Sequence, residues 1–349
     1  MGKATGVEWS DWALVRYESR QGVGIPWEYR STIMRINPIA CSLCLAVAVF
    51  VAGCTGSTDG ERTTTSSVLA ADQFESSDGV VTDVSDTSRL VVLNGDLTEI
   101  VFALGVGDSV VGVDLTTTYP EQAAQLPSVG LGRSLNAEKV IGLSPTLVIA
   151  DTQIGPPGAI DQIRAAGIPV AILRQESTLT GVPRKIDTVA SILGVEAQGD
   201  ELVTTVQADI DEAIAVAQKA SGSPQVGYLY VRGPETLLMF GTGMPTHFLI
   251  EAAGGIDIFG ENGVLFAENL SAETLVTSAP EVLITSSEGF DLIGGMDGFL
   301  ALPGVSDTPA GQTRSIILYD EAKFLGMGPR VGEALMQLIL DLHPELSAP

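Results

Sequence analysis

Few of the side chains that usually do chemistry are present in this 349-residue chain. Its two histidines are isolated: His247 opens the segment THFLIEAAGG, and His343 sits in Leu342-His343-Pro344 near the carboxyl end. His247 reads as a cap or a partly exposed group. Cys41, Cys44 and Cys54 all crowd towards the amino end. The first two lie in an apolar run, where thiols behave as small hydrophobes, so a cysteine metal cluster is not the reading. With one or no histidine to spare, a cleft here cannot assemble the three or four ligands that zinc or manganese requires. There is no G-x-S-x-G elbow, no P-loop and no H-E-x-x-H, and Gly105-Val-Gly107 runs into Asp108-Ser109-Val110 without completing a dinucleotide fingerprint. The chain therefore reads as a non-enzyme with no catalytic cofactor.

What does recur is a glutamate in a fixed setting. Leu135-Asn-Ala-Glu138-Lys-Val-Ile-Gly-Leu-Ser-Pro145 is echoed by Leu270-Ser-Ala-Glu273-Thr-Leu-Val-Thr-Ser-Ala-Pro280 at a constant offset of 135 residues (273 − 138 and 280 − 145). Asn136 and Ser271 are N-cap types, and each precedes a glutamate in the first helical turn. Capping explains either glutamate alone. Repetition of the whole segment points to two similar lobes.

The surrounding elements fit that division. In the first lobe, the β-branched run LVVL ends at Asn94-Gly95. A helix pattern, a second strand, LVIA at 147–150, a helix over 158–166, the Gly167-Ile168-Pro169 turn and VAIL at 170–173 follow. The second lobe runs from VGYLYV near Gln225 through THFLIEAAGG to EVLIT at 281–285 and SIILY at 315–319. Strand and helix alternation of this kind predicts parallel α/β units. Between the lobes, strong helix formers such as ADIDEAIAVAQKA predict one or two long helices, interrupted only at Gly194 and Gly199. The boundaries are 89–182 for the first lobe, 183–222 for the linking helix and 223–349 for the second lobe.

The amino-terminal part reads as an export device. From Met34, Arg35 leads into an apolar stretch too short to span a bilayer, ending in Val51-Ala52-Gly53-Cys54. That tetrapeptide resembles the bacterial lipobox, which makes 34–53 a lipoprotein signal peptide, Cys54 the lipidated residue and the product an extracytoplasmic protein anchored to the cell membrane. Residues 1–33 read as an upstream extension, with Met34 as the start. The Ser-, Thr-, Gly- and Asp-rich stretch 54–88 lacks the apolar groups to offset its ordering entropy and is predicted to be a disordered tether. Overall, 43 acids against 18 Lys and Arg give a net charge of −25, which repels phosphate backbones and excludes nucleic acid as a partner.

From Arg89 onward these residues resemble the cobalamin, siderophore and haem branch of the periplasmic substrate-binding proteins of ABC importers. The resemblance implies class III architecture, two Rossmann-like lobes on a rigid linking helix, and a monomer serving a permease dimer with its ATPase subunits. It places the two permease-docking glutamates at Glu138 and Glu273. It also lines one side of the cleft with Leu93-Asn94-Gly95 through Thr98-Glu99 and the other with Gly326-Met327-Gly328-Pro329-Arg330.

Closer similarity is to actinobacterial haemin-binding lipoproteins, carried by Leu126-Pro127-Ser-Val-Gly130, Arg133-Ser-Leu-Asn-Ala-Glu138, Tyr230-Val-Arg232-Gly233, Met239-Phe240-Gly241 and Pro309-Ala-Gly311. It implies haem (haemin) as the transported, iron-containing ligand, Tyr230 as the iron ligand and Arg232 as its support, a guanidinium favouring the phenolate that ferric iron prefers. Tyr230 is also acceptable as a plain strand residue. Where those relatives carry a first-lobe histidine or tyrosine, this chain has Leu131. That residue is left to pack on a porphyrin face, with Met244 or Met327 as a sixth ligand or as core filler. Arg133 and Arg330 are either partners for propionates or surface charges. A ferric siderophore or a corrinoid is the alternative cargo, and Leu131 is the residue that discriminates.

Overall fold

The computed structural model describes residues 72–347. The upstream extension, the signal peptide, Cys54 and the first part of the tether lie outside the described residues. Among the described residues, no helix is long and apolar enough to cross a membrane.

The first structured element corrects the tether. Strands β1 (Gln73–Glu75) and β2 (Val81–Asp83) pair antiparallel inside the stretch expected to be disordered. The segment is poor in apolar groups, but this hairpin is held by hydroxyls. Thr82 Oγ1 donates to the Val170 carbonyl at 3.1 Å, and Ser76 Oγ accepts from the Ile172 amide at 3.1 Å. An Arg164–Asp78 ion pair at 2.6 Å adds to them. Val170 and Ile172 belong to an edge strand, so the hairpin covers main-chain groups that would otherwise invite pairing with another chain.

The first lobe is a parallel sheet in the order β4 (Val110–Val113), β3 (Leu90–Leu93), β5 (Leu147–Asp151), β6 (Val170–Leu173). Every residue of β3, β5 and β6 is buried, as expected for parallel strands covered on both faces. Helices Gly95–Ala103, Ala137–Gly142 and Pro157–Ala165 make the crossovers.

The second lobe is mixed. Its sheet runs β10 (Ala267–Asn269), β8 (Leu237–Phe240), β7 (Gln225–Val231), β11 (Val282–Ser286), β12 (Ile316–Tyr319), with β9 (Ile256–Asp257) also pairing β7. β7, β11 and β12 are parallel as expected, but β8 returns antiparallel to β7. The reversal turns on Gly233, at φ 82°, and closes with the Arg232 amide donating to the Thr236 carbonyl at 2.9 Å.

Two helices, Gly181–Leu193 and Glu196–Ala217, occupy the predicted linker. Gly194 ends the first in a left-handed cap at φ 66°. Gly199 is not the second break expected from sequence. It lies within the long helix, where an added Cβ would come within 2.5 Å of the Ala190 Cβ, so it permits the two helices to cross closely. The first helix packs on Gly95–Ala103 and the second on the carboxyl-terminal helix Val331–Leu342. One apolar core therefore runs unbroken from Leu90 and Ile100 through Val189 and Ile210 to Tyr228 and Leu338. Two lobes sharing one core are not free to swing independently.

Candidate functional site

In each lobe the parallel strands end at one edge, and the loops leaving that edge carry the polar side chains, the usual place for a ligand in an open α/β sheet. Alternation along β7 puts Tyr228 and Tyr230 on one face, and both stack on Phe240 of β8, with ring centroids at 5.3 and 5.1 Å. Tyr228 is buried, and burial raises its phenol pKa well above the ordinary value. Tyr230, nearer the strand end, is only half-buried. Arg232 Nε donates to Tyr230 Oη at 2.9 Å, and its guanidinium lies 5.5 Å from the Tyr230 ring centre. Arg232 Nη2 pairs with Glu321, the first residue of the helix Glu321–Leu325 beyond β12. Burial alone would make Arg232 less basic, but its contacts with Tyr230 and Glu321 outweigh that and keep it cationic. Burial raises the Glu321 carboxyl pKa, Arg232 pulls it back, and the charge of Glu288 adds to the rise.

On the first lobe, Asn94, Leu131 and Arg133 line one cavity together with Asp114, Thr116, Asp151 and Gln153. Asn94 has φ 126°, rare for a residue with a Cβ. It is held there by Nδ2 donating to Asp151 Oδ2 at 2.7 Å and by a long contact from Thr116 Oγ1 to its own Oδ1, at 3.4 Å. The next residue must be glycine, because a Cβ on Gly95 would meet the Thr116 carbonyl oxygen at 2.5 Å. Asp114 and Asp151 are buried, and desolvation raises both carboxyl pKa values, with the charge of Asp96 adding to the effect. Among the described residues, no hydrogen bond joins this wall to the Tyr230–Arg232 pair. Leu131 is half-buried and Arg133 is exposed, so both are open to a ligand.

Two expected cleft residues are used otherwise. Met327, at φ 51°, is 1% exposed and packs in the shared core, so it serves as filler, not as a ligand in the cleft. Arg330 is committed to the first lobe. Its Nε and Nη2 donate to Glu99 at 3.0 and 2.8 Å, and its guanidinium sits 3.7 Å from the Tyr119 ring centre. An anionic ligand group would have to compete with Glu99 for it. Met244 is half-buried against the same core.

Neither histidine stands beside Tyr230. His247 Nδ1 contacts Asp257 Oδ2 at 2.9 Å, and His343, buried, has Nε2 3.0 Å from the Ala253 carbonyl oxygen. Among the described residues, no group of three His, Cys, Asp or Glu side chains is arranged to hold a metal ion. The repeated segments do form matching caps: Asn136 Oδ1 accepts from the Lys139 amide and Ser271 Oγ from the Thr274 amide, each at 3.2 Å. Glu138 and Glu273 project from these first turns into solvent. Each helix precedes a parallel strand, β5 or β11, so it runs back from the edge where the strands end and starts beside the ligand-facing loops. Glu321 and Asp151 were not picked out from sequence. The signal available for Glu321 was its place just beyond β12, two residues past Tyr319.

A sequence profile of the periplasmic binding protein family matches residues 90–322. Among solved structures, the chain is similar to the periplasmic heme-binding protein RhuT from Roseiflexus sp. RS-1 in apo form, at 42% identity and a TM-score of 0.73. The match covers 75% of this chain and 100% of that one. It is 27% identical to the uncharacterized ABC transporter substrate-binding lipoprotein YvrC of Bacillus subtilis (strain 168), over 86% of this chain and 95% of the relative. It is 29% identical to the cobalamin-binding protein of Halobacterium salinarum (strain ATCC 29341 / DSM 671 / R1), over 77% and 73%.

The His247–Asp257 contact has a pH signature. The hydrogen bond that His247 donates to Asp257 holds the His247 pKa above its ordinary 6.5, against the opposing effect of burial. Its stabilising contribution is then complete below about pH 6.5 and lost as pH rises through the raised folded value. The melting-temperature difference between the wild type and His247→Asn should be largest below that pH and shrink towards alkaline pH; a difference that grows with pH would contradict the assignment.

Proposed function

The chain belongs to the periplasmic binding protein family, and on that premise we propose that it is the substrate-binding component of an ABC importer, capturing haem between its lobes and passing it to a permease. The observation that carries the haem reading is the hydrogen bond from Arg232 Nε to Tyr230 Oη at 2.9 Å. It presents the phenol at a strand end with a fixed cation beside it, an arrangement suited to phenolate ligation of ferric iron. The 42% identity with a heme-binding protein matched over its whole length supports the same cargo. Leu131, with Leu115 exposed to 65% in the loop leaving β4, offers apolar surface to a macrocycle, and exposed Arg133 offers a cation to a propionate. The protein binds, holds and releases; the energy for import comes from the ATPase subunits of its partner.

Delivery uses Glu138 and Glu273. Both are exposed on short capped helices that begin beside the cleft, so arginines of a permease pairing with them would bring the cleft mouth over the translocation path. Acylation of Cys54 would tether the protein to the membrane. A corrinoid or a ferric siderophore is the second reading: Leu131 removes the first-lobe iron ligand, and the cobalamin-binding relative from Halobacterium salinarum spans most of the chain.

An absorption titration with haemin, run beside Tyr230→Phe and beside cyanocobalamin, separates these cargoes. The haem reading expects a saturable one-to-one Soret shift that the phenylalanine variant loses. Saturable cyanocobalamin binding, with haemin bound equally by wild type and variant, would replace it with the corrinoid reading. For delivery, the Glu138→Ala, Glu273→Ala double variant should bind ligand as the wild type does yet lose about tenfold or more in uptake by cells; unchanged uptake would rule out docking through this pair.

A further inference from the structure

Arg232 has two partners, and haem ligation by Tyr230 accounts for only one of them. Its Nε serves Tyr230, while Nη2 is paired with Glu321 Oε1. The arginine side chain is 42% exposed and the glutamate 19%, so the acid is the fixed member of the pair. Asp320 caps the helix that Glu321 opens, accepting from the Lys323 amide at 2.8 Å, and this holds the carboxylate at the end of β12.

The other carboxylate oxygen, Oε2, is buried and has no hydrogen-bond partner among the described residues. Ser286 is near enough to help lower the Glu321 carboxyl pKa without meeting the geometry of a bond to Oε2, and its Oγ accepts from the Gly289 amide at 3.0 Å. A half-satisfied buried carboxylate is unfavourable, and a neutral group of the same shape would serve better if packing were the only requirement. What the carboxylate adds is negative charge beside Arg232. Glu288, from the helix Ser287–Leu292, contributes to the same field, and Tyr228 faces it from the sheet below.

We infer that Glu321 is a positioning residue for the Tyr230 ligand, holding Arg232 in register with the phenol oxygen and balancing its charge so that the phenolate remains a strong donor to ferric iron. This rests on the haem reading above. An unbalanced guanidinium would draw electron density from the phenolate oxygen and place a net positive charge near the iron, favouring the ferrous state. With Glu321 ionised, Arg232 still supplies the hydrogen bond but little net field.

The test is spectroelectrochemistry of the haemin-loaded full-length protein, comparing wild type, Glu321→Gln, Glu321→Asp and Tyr230→Phe, with haemin release followed by transfer to a haem-scavenging globin. Glu321→Gln, nearly the same shape, should still bind one haemin and keep the phenolate-to-iron charge-transfer band. Its midpoint potential should move positive and its haemin release should quicken several-fold. Glu321→Asp, which retains the charge, should lie close to the wild type. An unchanged potential in Glu321→Gln, or an equal shift in Glu321→Asp, overturns the charge-balancing role while leaving Tyr230 ligation intact. If the wild type shows no phenolate band, or Tyr230→Phe keeps it, the haem reading fails and this inference falls with it.

Discussion

Asp96 and Glu99 lie one turn apart on the Gly95–Ala103 helix, and each holds a cation that ties the first lobe to the rest of the molecule. Asp96 is paired with Lys185, whose ammonium also donates to the Gly326 carbonyl of the second lobe at 3.3 Å. Glu99 takes Arg330 from the second lobe through its main-chain amide and two guanidinium nitrogens. Both members of the Asp96–Lys185 pair are almost fully buried, and Asp96 Oδ1 has no hydrogen-bond partner among the described residues. Burying two charges is itself costly, but stranding one by removing its partner typically costs about 3–5 kcal/mol. The lock is therefore weak evidence for stability and better evidence for a fixed geometry. Together with the continuous core beneath it, it sets the relation between the first-lobe wall and the Tyr230–Arg232 pair.

Within that frame the two walls differ in chemistry. The first-lobe wall is built from buried carboxylates around a strained Asn94, with Leu131 and Arg133 at its surface. Its internal hydrogen bonds are largely used up in holding Asn94 and the loops in place. The second-lobe wall presents one aromatic oxygen, oriented by Arg232 and backed by stacked rings. The cleft thus combines a polar but self-satisfied first-lobe wall with one half-buried phenol oxygen on the second-lobe wall. A bare ion that needs several converging ligands would find no such set.

Much of this was legible in sequence because local patterns decide it. Buried β-branched runs gave β3, β5, β6, β7 and β11, and the 135-residue repeat located two matching caps at Asn136 and Ser271. What escaped depends on contacts far apart in the chain. The hairpin at 73–83 forms because Ser76 and Thr82 find an open edge at Val170, roughly ninety residues away, which no local composition reveals. Gly199 looked like a helix break, yet it is a crossing point set by Ala190 on another helix. Arg330 and Met327 sit in the expected loop, but whether such a loop faces ligand or core is decided by Glu99 and the packing around Phe324. Glu321 emerges as a site residue only once β12 is placed beside β11, which is itself beside β7.

A cleft fixed by the shared core and by the Asp96 and Glu99 locks would be in place before any ligand arrives. Electron spin distance measurements between labels at positions 138 and 273, in a chain with serine at 41, 44 and 54, test it most directly. The account predicts one narrow distance distribution that haemin leaves in place, and a single broadened one when Glu99→Gln and Arg330→Ala are combined. A broad distribution in the ligand-free wild type, or a shift of several ångströms on adding haemin, would contradict it.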